Sequence, residues 1–337
     1  MRGGQSITTV DYHTGGEPFR VVTGGAPGLP GDDVLDRRAR ASAPGSAADR
    51  VRRLLCHEPR GHADMYGCFL VPPDTSPGDR LGEQGAHFGA LFWHKDGFST
   101  ACGHGTIALG VHAVQEGLVE ARPDGDTDVR LDVPSGRVTA RVRSEGGRIR
   151  SVTFVNVPSF VLARSVAAAG MRVDLAYGGA VYACLPAGAA GLAVRPEHLT
   201  DLIATARRIK ADLAGHPATR HPADDRLSGV YGVIFYDELT GGDGHVRQRN
   251  VTVFADGEVD RSPCGSGTAA RLALLHDEGV RDPLVHESVV GSLFRARVVA
   301  ETPQGVVPEI EGMAYRTGRH VFELDPDDPL GTGFTLR

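Results

Sequence analysis

The chain has 337 residues, of which 41% are hydrophobic and 23% charged, and its formal net charge is −6. This composition excludes collagen-like and intrinsically disordered chains, and the acidic balance argues against nucleic acid as a partner. The sequence has neither a long apolar run nor a basic leader with an apolar core, so we expect no membrane partner and a cytoplasmic location. The length predicts two domains of ordinary size.

Short apolar segments bounded by glycine and proline predict many strands and few helices. In the first half we predict strands at 7–11 and 19–23 around a turn at 13–18, an interrupted helix over 32–55, and strands at 68–71, 86–94, 129–133, 138–142 and 149–155. In the second half we predict strands at 173–177, 181–185, 231–236, 249–254, 285–290 and 294–299, and a helix over 196–213. This plan is α+β, with one domain at 1–157, a second at 158–317, and a tail at 318–337 that is able to cross back to the first.

An internal repeat marks the centre of each half. The segment 102–106, Cys-Gly-His-Gly-Thr, matches 264–268, Cys-Gly-Ser-Gly-Thr, and the register persists to residue 119 at a constant offset of 162 (264 minus 102). Each copy predicts a glycine turn that opens a helix, and Gly117 and Gly279 predict where the two helices end. Because the residues that follow each turn are apolar on nearly all sides, we expect both helices to be buried.

The two helix starts suit a small anionic ligand, because the first N–H groups of a helix have no intrahelical partner and lie at the positive end of its dipole. The N–H groups that would bind a carboxylate there belong to Gly103, His104, Gly265 and Ser266. A cysteine at such a place is expected to have a lowered pKa. With Cys102 and Cys264 on opposite sides of one ligand, a thiolate would take a proton from carbon and a thiol would return one to the other face, inverting the stereocentre without cofactor or metal.

Three further residues are candidates for the ligand pocket. Asp260 lies four residues before Cys264, at the position that Phe98 occupies in the first copy. A carboxylate on one side only suits a ligand with a single cationic group, such as the nitrogen of an amino acid, and a turn or N-cap role is the alternative. Tyr66 and Phe254 are candidates for the apolar wall, with core packing as the alternative.

Other classes of protein stay open on the residues alone. A non-catalytic amino-acid-binding protein would keep both helix starts without needing either thiol, and Gly-Ser-Gly-Thr also suits phosphate, although the lysine of a P-loop is absent. A cysteine hydrolase would leave the second copy unexplained. The other cysteines bring the total to an odd five, so we expect no disulfide framework and place these three in the core: Cys56, Cys68 and Cys184. The spacing of His57 and His62 from the cysteines fits no zinc site.

Several segments together resemble the proline racemase family, which includes hydroxyproline 2-epimerases and trans-3-hydroxyproline dehydratases. They are His13-Thr14-Gly15-Gly16-Glu17-Pro18-Phe19-Arg20, Arg60-Gly61-His62, the 102–106 motif, 260–268 (Asp-Arg-Ser-Pro-Cys-Gly-Ser-Gly-Thr) and the tail segment 325–330. The resemblance implies a fold like that of diaminopimelate epimerase. Such a fold has two pseudo-symmetric domains, each a curved sheet around a buried central helix.

The resemblance also implies residue roles. Cys102 and Cys264 would be the acid–base thiols, the four N–H groups would bind the carboxylate, and Asp260 with the ring of His104 would bind the nitrogen of a proline. Family dehydratases usually carry threonine in place of Cys264, so two cysteines favour a racemase or 2-epimerase of proline or a hydroxyproline. The Gly-Gly form of the first motif is closer to the dehydratase and proline racemase branches, which keeps the dehydratase as the alternative. The partner would be a small-molecule substrate, and a homodimer is compatible with the sequence.

Overall fold

The computed structural model describes residues 6–74, 85–240 and 244–336, and within them the chain forms eighteen strands and five α-helices. The first half contributes β1 (Ser6–Thr14), β2 (Glu17–Gly24), α1 (Val34–Ala41), α2 (Ala47–Cys56), β3 (Gly67–Val71), β4 (Phe88–His94), β5 (Gly97–Phe98), α3 (Gly103–Gln115), β6 (Gly125–Val133), β7 (Gly136–Glu145) and β8 (Arg148–Val155). The second half contributes β9 (Phe160–Ala168), β10 (Met171–Tyr177), β11 (Val181–Pro186), α4 (Leu199–Asp212), β12 (Val230–Glu238), β13 (Val246–Phe254), β14 (Glu258–Asp260), α5 (Gly265–Asp277), β15 (Leu284–Ser288), β16 (Leu293–Thr302), β17 (Gly305–Gly312) and β18 (Ala314–Glu323). Among the described helices, none combines the length and apolar character needed to cross a membrane.

The two halves repeat one pairing scheme. In the first half β1–β2 is antiparallel, β2–β3 parallel, β3–β4 antiparallel, β4–β6 parallel, and β6–β7–β8 antiparallel. In the second half the same sequence of orientations runs from β10 to β17, with β14 in the place of β5. In the first half β5 precedes Cys102 and α3, and in the second half β14 precedes Cys264 and α5. The predicted fold class, two pseudo-symmetric α+β halves, is therefore confirmed.

The halves are joined by their strands. β8 pairs with β17 in antiparallel register, with Phe154 opposite Ile310, so the two sheets share one continuous ladder. After β8 the chain enters the second half, where β9 pairs with β10, and after β17 it returns to the first half, where β18 pairs with β1. β18, which follows the second half in sequence, thus completes the sheet of the first half. The predicted domain boundary lies in the link 156–159 between β8 and β9, and it stays a prediction.

Each central helix is enclosed by its own half. α3 packs against β1, β2, β6, β7, β8 and β18, and α5 packs against β9, β10, β11, β16 and β17. Gly110 lets α3 approach its sheet closely, because a Cβ there would lie 2.8 Å from Ala140 Cβ. Gly117 (φ +70°) and Gly279 (φ +85°) follow the two helices in the left-handed region that glycine adopts without strain, as predicted.

The polar helices cover the outer faces of the sheets. α1 and α2 pack with the outer apolar residues of the first half, and α4 packs with those of the second. Asp33 and Ser46 cap α1 and α2, since each side chain accepts the N–H three residues on, from Asp36 and Asp49. These helices complete the core on the outer faces of the two halves.

The strand prediction missed several elements. β9 and β17 were not predicted, and the segment expected to be only a tail begins with most of β18. β18 is exposed along most of its length, β9 is mostly half-buried, and neither alternates throughout, so for these two strands the ladder partners rather than the sequence pattern determine the structure. β17 is largely buried. The turn predicted at 13–18 is confined to Gly15 and Gly16, whose φ angles are +58° and +96°.

Candidate active site

The two glycine turns touch at the junction of the halves. A Cβ on Gly103 would lie 2.5 Å from the Cα of Gly265, and a Cβ on Gly265 would lie 2.7 Å from the Cα of Gly103. Only glycine permits this approach of one backbone to the other. The starts of α3 and α5, and the thiols that precede them, are therefore brought to a single site.

Cys102 lies in an extended backbone (φ −155°, ψ 105°) and caps α3 with its side chain, since Sγ accepts the N–H of Gly105 at 3.2 Å. The ring of His104 lies beside the same sulfur, with Nδ1 at 3.5 Å. Thr14 of β1 donates its hydroxyl to the carbonyl of His104 at 3.0 Å. The segment 13–18 thus contributes a hydrogen bond that supports the glycine turn after Cys102.

Cys264 has a different backbone, with φ at +62° and ψ at 100°. This region is sparsely populated for a residue with a Cβ, and such strain costs about 1–3 kcal/mol. The Cys264 N–H is donated to Ser262 Oγ at 3.1 Å. Ser262 in turn donates its N–H (2.8 Å) and its hydroxyl (2.7 Å) to Asp260 Oδ1, so the candidate carboxylate is tied to the loop that presents the second thiol.

Asp260 and His104 face each other across the two halves, with Oδ2 and Nδ1 3.9 Å apart. Burial raises the pKa of Asp260 to about 6 and lowers the pKa of His104 to about 3. Glu17 lies close by, and burial and then the charge of Asp260 hold its pKa well above the usual range. At neutral pH the pair therefore consists of a carboxylate and a neutral imidazole, which suits a ligand with one cationic nitrogen.

The predicted direction of the thiol pKa shift is wrong. Burial raises the pKa of both Cys102 and Cys264, whose exposed fractions are 4% and 6%. The helix N–H groups act in the predicted direction, since the Gly105 N–H lowers the pKa of Cys102, but desolvation of the charged form outweighs them. The charge on Cys264 raises the pKa of Cys102 further, so the two sulfurs interact and ionisation of one opposes ionisation of the other.

Aromatic rings and hydroxyl groups surround the thiols. The Tyr66 ring contacts His104 (centroids 4.9 Å) and Phe254 (5.8 Å), which places both predicted wall residues beside the site. The Tyr66 hydroxyl is hydrogen-bonded to Ser99 Oγ and lies 3.1 Å from the Tyr231 hydroxyl. Neither partner was predicted, although Ser99 precedes Cys102 by only three residues.

Tyr182 is a further residue that the sequence did not identify. Its hydroxyl lies 2.7 Å from Ser266 Oγ and 3.9 Å from Cys264 Sγ. Because Tyr182 lies on β11, 82 residues before Cys264, no local motif connects the two. The tertiary packing of β11 against α5 places Tyr182 beside the start of that helix.

Side chains of the first half hold the segment 256–261 of the second. Asp64 accepts the N–H of Val259 at 3.0 Å and the guanidinium of Arg261 at 2.8 Å. Glu17 accepts the N–H of Arg261 at 2.7 Å. These bonds position the strand that carries Asp260 and keep the two halves closed over the thiols.

One group among the described residues has the geometry of metal ligands. His94, Asp96 and Glu258 place one ligand atom each within 4.8 Å of one another. These residues already have partners. His94 Nδ1 lies 3.0 Å from Glu258 Oε1 within the group, and the neighbouring Lys95 Nζ lies 2.9 Å from Asp96 Oδ1. A lysine ammonium in the cluster opposes a second cation, so we assign no metal to it.

The comparisons with known proteins agree with this fold. The family model for proline racemase matches residues 9–335. The chain is 42% identical to a 3-hydroxyproline 2-epimerase of Burkholderia multivorans and 39% identical to a trans-3-hydroxy-L-proline dehydratase of Bacillus thuringiensis, over 100% of both chains in each case. A crystal structure of a hydroxyproline epimerase from Agrobacterium vitis, with bound trans-4-hydroxy-L-proline, superposes with a TM-score of 0.88 at 31% identity and covers 100% of this chain and 97% of that one.

The family match and these relatives define an enzyme of two pseudo-symmetric halves, with the paired helix starts as its candidate active site. The chain belongs to the proline racemase family, as the motifs at 13–20, 102–106 and 260–268 predicted.

Proposed function

We propose that the chain is a cofactor-independent 2-epimerase of a hydroxyproline, in which Cys102 and Cys264 are the two acid–base groups. The observation that carries the proposal is the contact of the two glycine turns, which brings together two helix starts and the buried thiols that precede them. The site residues keep the roles expected of them. Gly103, His104, Gly265 and Ser266 would bind the carboxylate through backbone N–H groups, and Asp260 with His104 would bind the ring nitrogen.

The proposed reaction balances protons between the two thiols. One sulfur, as thiolate, takes the C2 proton, and the electron pair left on carbon is delocalised into the carboxylate that the helix N–H groups hold. The other sulfur, as thiol, gives its proton to the opposite face and becomes the thiolate. Such an exchange requires one thiol and one thiolate at every stage. The repulsion between the two sulfur charges disfavours the doubly ionised pair.

The hydroxyl groups beside the thiols favour a hydroxylated ring over proline itself. Tyr66, Ser99 and Tyr231 form a connected set of hydroxyls on the Cys102 side, and each hydroxyl is able to donate a hydrogen bond to a ring hydroxyl or accept one from it. Proline offers them no partner. The relatives named above also have hydroxyprolines in their names.

A trans-3-hydroxy-L-proline dehydratase is the second candidate, and the 39% identity to a relative of that name favours it. In that reaction a thiolate takes the C2 proton, and the C3 hydroxyl is protonated and leaves as water, forming the ring double bond. That reaction needs one thiolate and a proton donor, whereas inversion needs both thiols. The two candidates therefore differ in what they require of Cys264.

The test incubates the enzyme in heavy water with L-proline, both 4-hydroxyproline epimers and trans-3-hydroxy-L-proline, and follows C2 by NMR. We expect deuterium at C2 with inversion and without loss of water, and a loss of about 10²–10⁴-fold in Cys102→Ser and in Cys264→Ser. Cys56→Ser is the matched control, because its buried sulfur donates to the Met65 carbonyl, as a serine hydroxyl also would. Pyrroline formation that survives in Cys264→Ser would identify the dehydratase. Binding without turnover in the wild-type enzyme would identify a binding protein.

A further inference from the structure

The two cysteines have different backbone conformations, and a group of buried side chains accompanies the unusual one. Cys102 is extended (φ −155°), whereas Cys264 is in the left-handed region (φ +62°). Such a conformation persists only where the surrounding structure over-determines it. The groups that could do so surround the carbonyl of Pro263, the residue immediately before the strained cysteine.

The Pro263 carbonyl accepts two side-chain hydrogen bonds. Asn250 Nδ2 donates to it at 2.7 Å and Thr268 Oγ1 at 3.0 Å. Both donors also contact the ring of His286: Nε2 is the ring nitrogen nearer to Asn250 Nδ2, at 2.7 Å, and Nδ1 lies 2.8 Å from Thr268 Oγ1. All three side chains are fully buried, so the Asn250 amide N–H groups, the Thr268 hydroxyl and the His286 ring nitrogens depend on these partners.

One arrangement of protons accounts for the donors of this group, while Asn250 Oδ1 is buried without a hydrogen-bond partner among the described residues. Asn250 has two N–H bonds to donate, one to Pro263 and one to His286 Nε2, so Nε2 is an acceptor. Nδ1 then carries the proton and donates to Thr268 Oγ1, whose own hydrogen goes to Pro263. Burial lowers the pKa of His286 to about 3, which agrees with the neutral ring that the hydrogen bonds require.

The first copy of the repeat is built differently. Thr106, which corresponds to Thr268, donates its hydroxyl to the Cys102 carbonyl at 2.8 Å, one helical turn back. Thr268 instead donates to the carbonyl one residue further back, that of Pro263, and its N–H is bonded to the Cys264 carbonyl at 2.7 Å. Thr268 thus differs from Thr106 in its hydrogen-bond acceptor, just as Cys264 differs from Cys102 in its backbone conformation.

We propose that Asn250, Thr268 and His286 are positioning residues that hold Cys264 in its left-handed conformation and so aim its thiol into the site. Their effect on turnover rests on the proposed function, whereas their effect on the conformation of Cys264 does not. The role is specific to the second thiol. The two halves of the site therefore hold their acid–base groups by different hydrogen bonds.

The experiment uses Thr268→Val, which removes the hydroxyl but keeps the shape of the side chain, with Thr268→Ser as the conservative variant and Thr106→Val as the matched control. Because the chain has five cysteines, labelling cysteine Cβ with ¹³C gives five NMR signals, assigned by single Cys→Ser variants. We expect Thr268→Val to move the Cys264 signal by more than its line width and to leave Cys102 and Cys56 in place. Thr268→Ser should restore the signal.

In the kinetic part, we expect Thr268→Val to lower kcat roughly tenfold or more with KM within about twofold, since a reacting group displaced by about 1 Å loses up to about 10²-fold. Thr268→Ser should stay within about threefold of wild type. The proposal is overturned if the Cys264 signal does not move, if Thr106→Val moves it equally, or if Thr268→Val retains the wild-type kcat. If the signal moves as expected but no substrate of the panel is converted, the proposed function fails and the positioning role stands.

Discussion

The contact of the two glycine turns gives a sharp prediction for Gly103→Ala. The added Cβ would lie 2.5 Å from Gly265 Cα, about 0.9 Å short (3.4 minus 2.5 Å) of the distance at which ordinary contact begins. Both atoms belong to backbone or Cβ, so no flexible side chain can move aside, and the starts of α3 and α5 must separate by about that much. A displacement of about 1 Å at the reacting groups lowers the rate by about 10²-fold, or about 2.7 kcal/mol.

The assay is kcat/KM for C2 inversion of the best substrate in the panel, together with the free energy of unfolding in urea. We expect kcat/KM to fall about 10²-fold in Gly103→Ala, and similarly in Gly265→Ala, where the new contact is 2.7 Å. Overpacking should lower the free energy of unfolding by about 1–3 kcal/mol, although alanine is the better helix former. Gly188→Ala is the control, since a Cβ there meets no atom within 4 Å. If Gly103→Ala keeps kcat/KM within about threefold of Gly188→Ala, the proposed meeting of the helix starts at the catalytic site is refuted.

Three further substitutions test the surroundings of the thiols. Burial raises the folded-state pKa of Asp260 to about 6, so ionisation of this carboxyl opposes folding, and wild-type stability is lost as the pH rises from about 4 to 6. Asp260→Asn cannot ionise and should therefore gain stability relative to wild type over that window, by up to roughly 3 kcal/mol. Urea unfolding at pH 4 and pH 7 measures the difference. Tyr66→Phe removes one neutral hydroxyl partner and should lower kcat/KM for the preferred hydroxyproline about 3–10-fold, with a smaller effect on proline, in parallel steady-state assays. Asp64→Asn weakens the acceptor of Arg261 and Val259 and should lower the free energy of unfolding by about 1–3 kcal/mol, measured by urea unfolding.

Each of these expectations has a contrary result. A stability difference between Asp260→Asn and wild type that is constant from pH 4 to pH 7 would mean that this carboxyl is not perturbed by burial. Equal losses on proline and hydroxyproline in Tyr66→Phe would remove the hydroxyl argument for the substrate. An Asp64→Asn variant as stable as wild type would mean that the bonds to 256–261 do not hold the halves together.

Much of the site is visible in the sequence because its central feature is local. Five residues in each copy, with glycine at fixed places and an apolar run behind, predict a turn and a buried helix wherever they occur. The offset of 162 residues then pairs Cys102 with Cys264 without knowledge of the fold. The confirmed α+β duplication and the membership of the family follow from that same repeat and the motifs around it.

The remaining features depend on parts of the chain that are distant in sequence. No local pattern shows that β18 joins β1, that Tyr182 lies beneath Ser266, or that Asp64 holds the strand of Asp260, because each contact is made by residues more than 80 positions apart. The thiol pKa is the clearest case. The helix start, which the sequence predicts, lowers it, but the closure of one half on the other removes water from Cys102 and raises it further than the helix can lower it. The sequence alone determined the two glycine turns and the cysteines that precede them. The tertiary structure decided which distant side chains surround those thiols, and with them the protonation and orientation of the thiols, since desolvation and backbone strain depend on everything packed around a group.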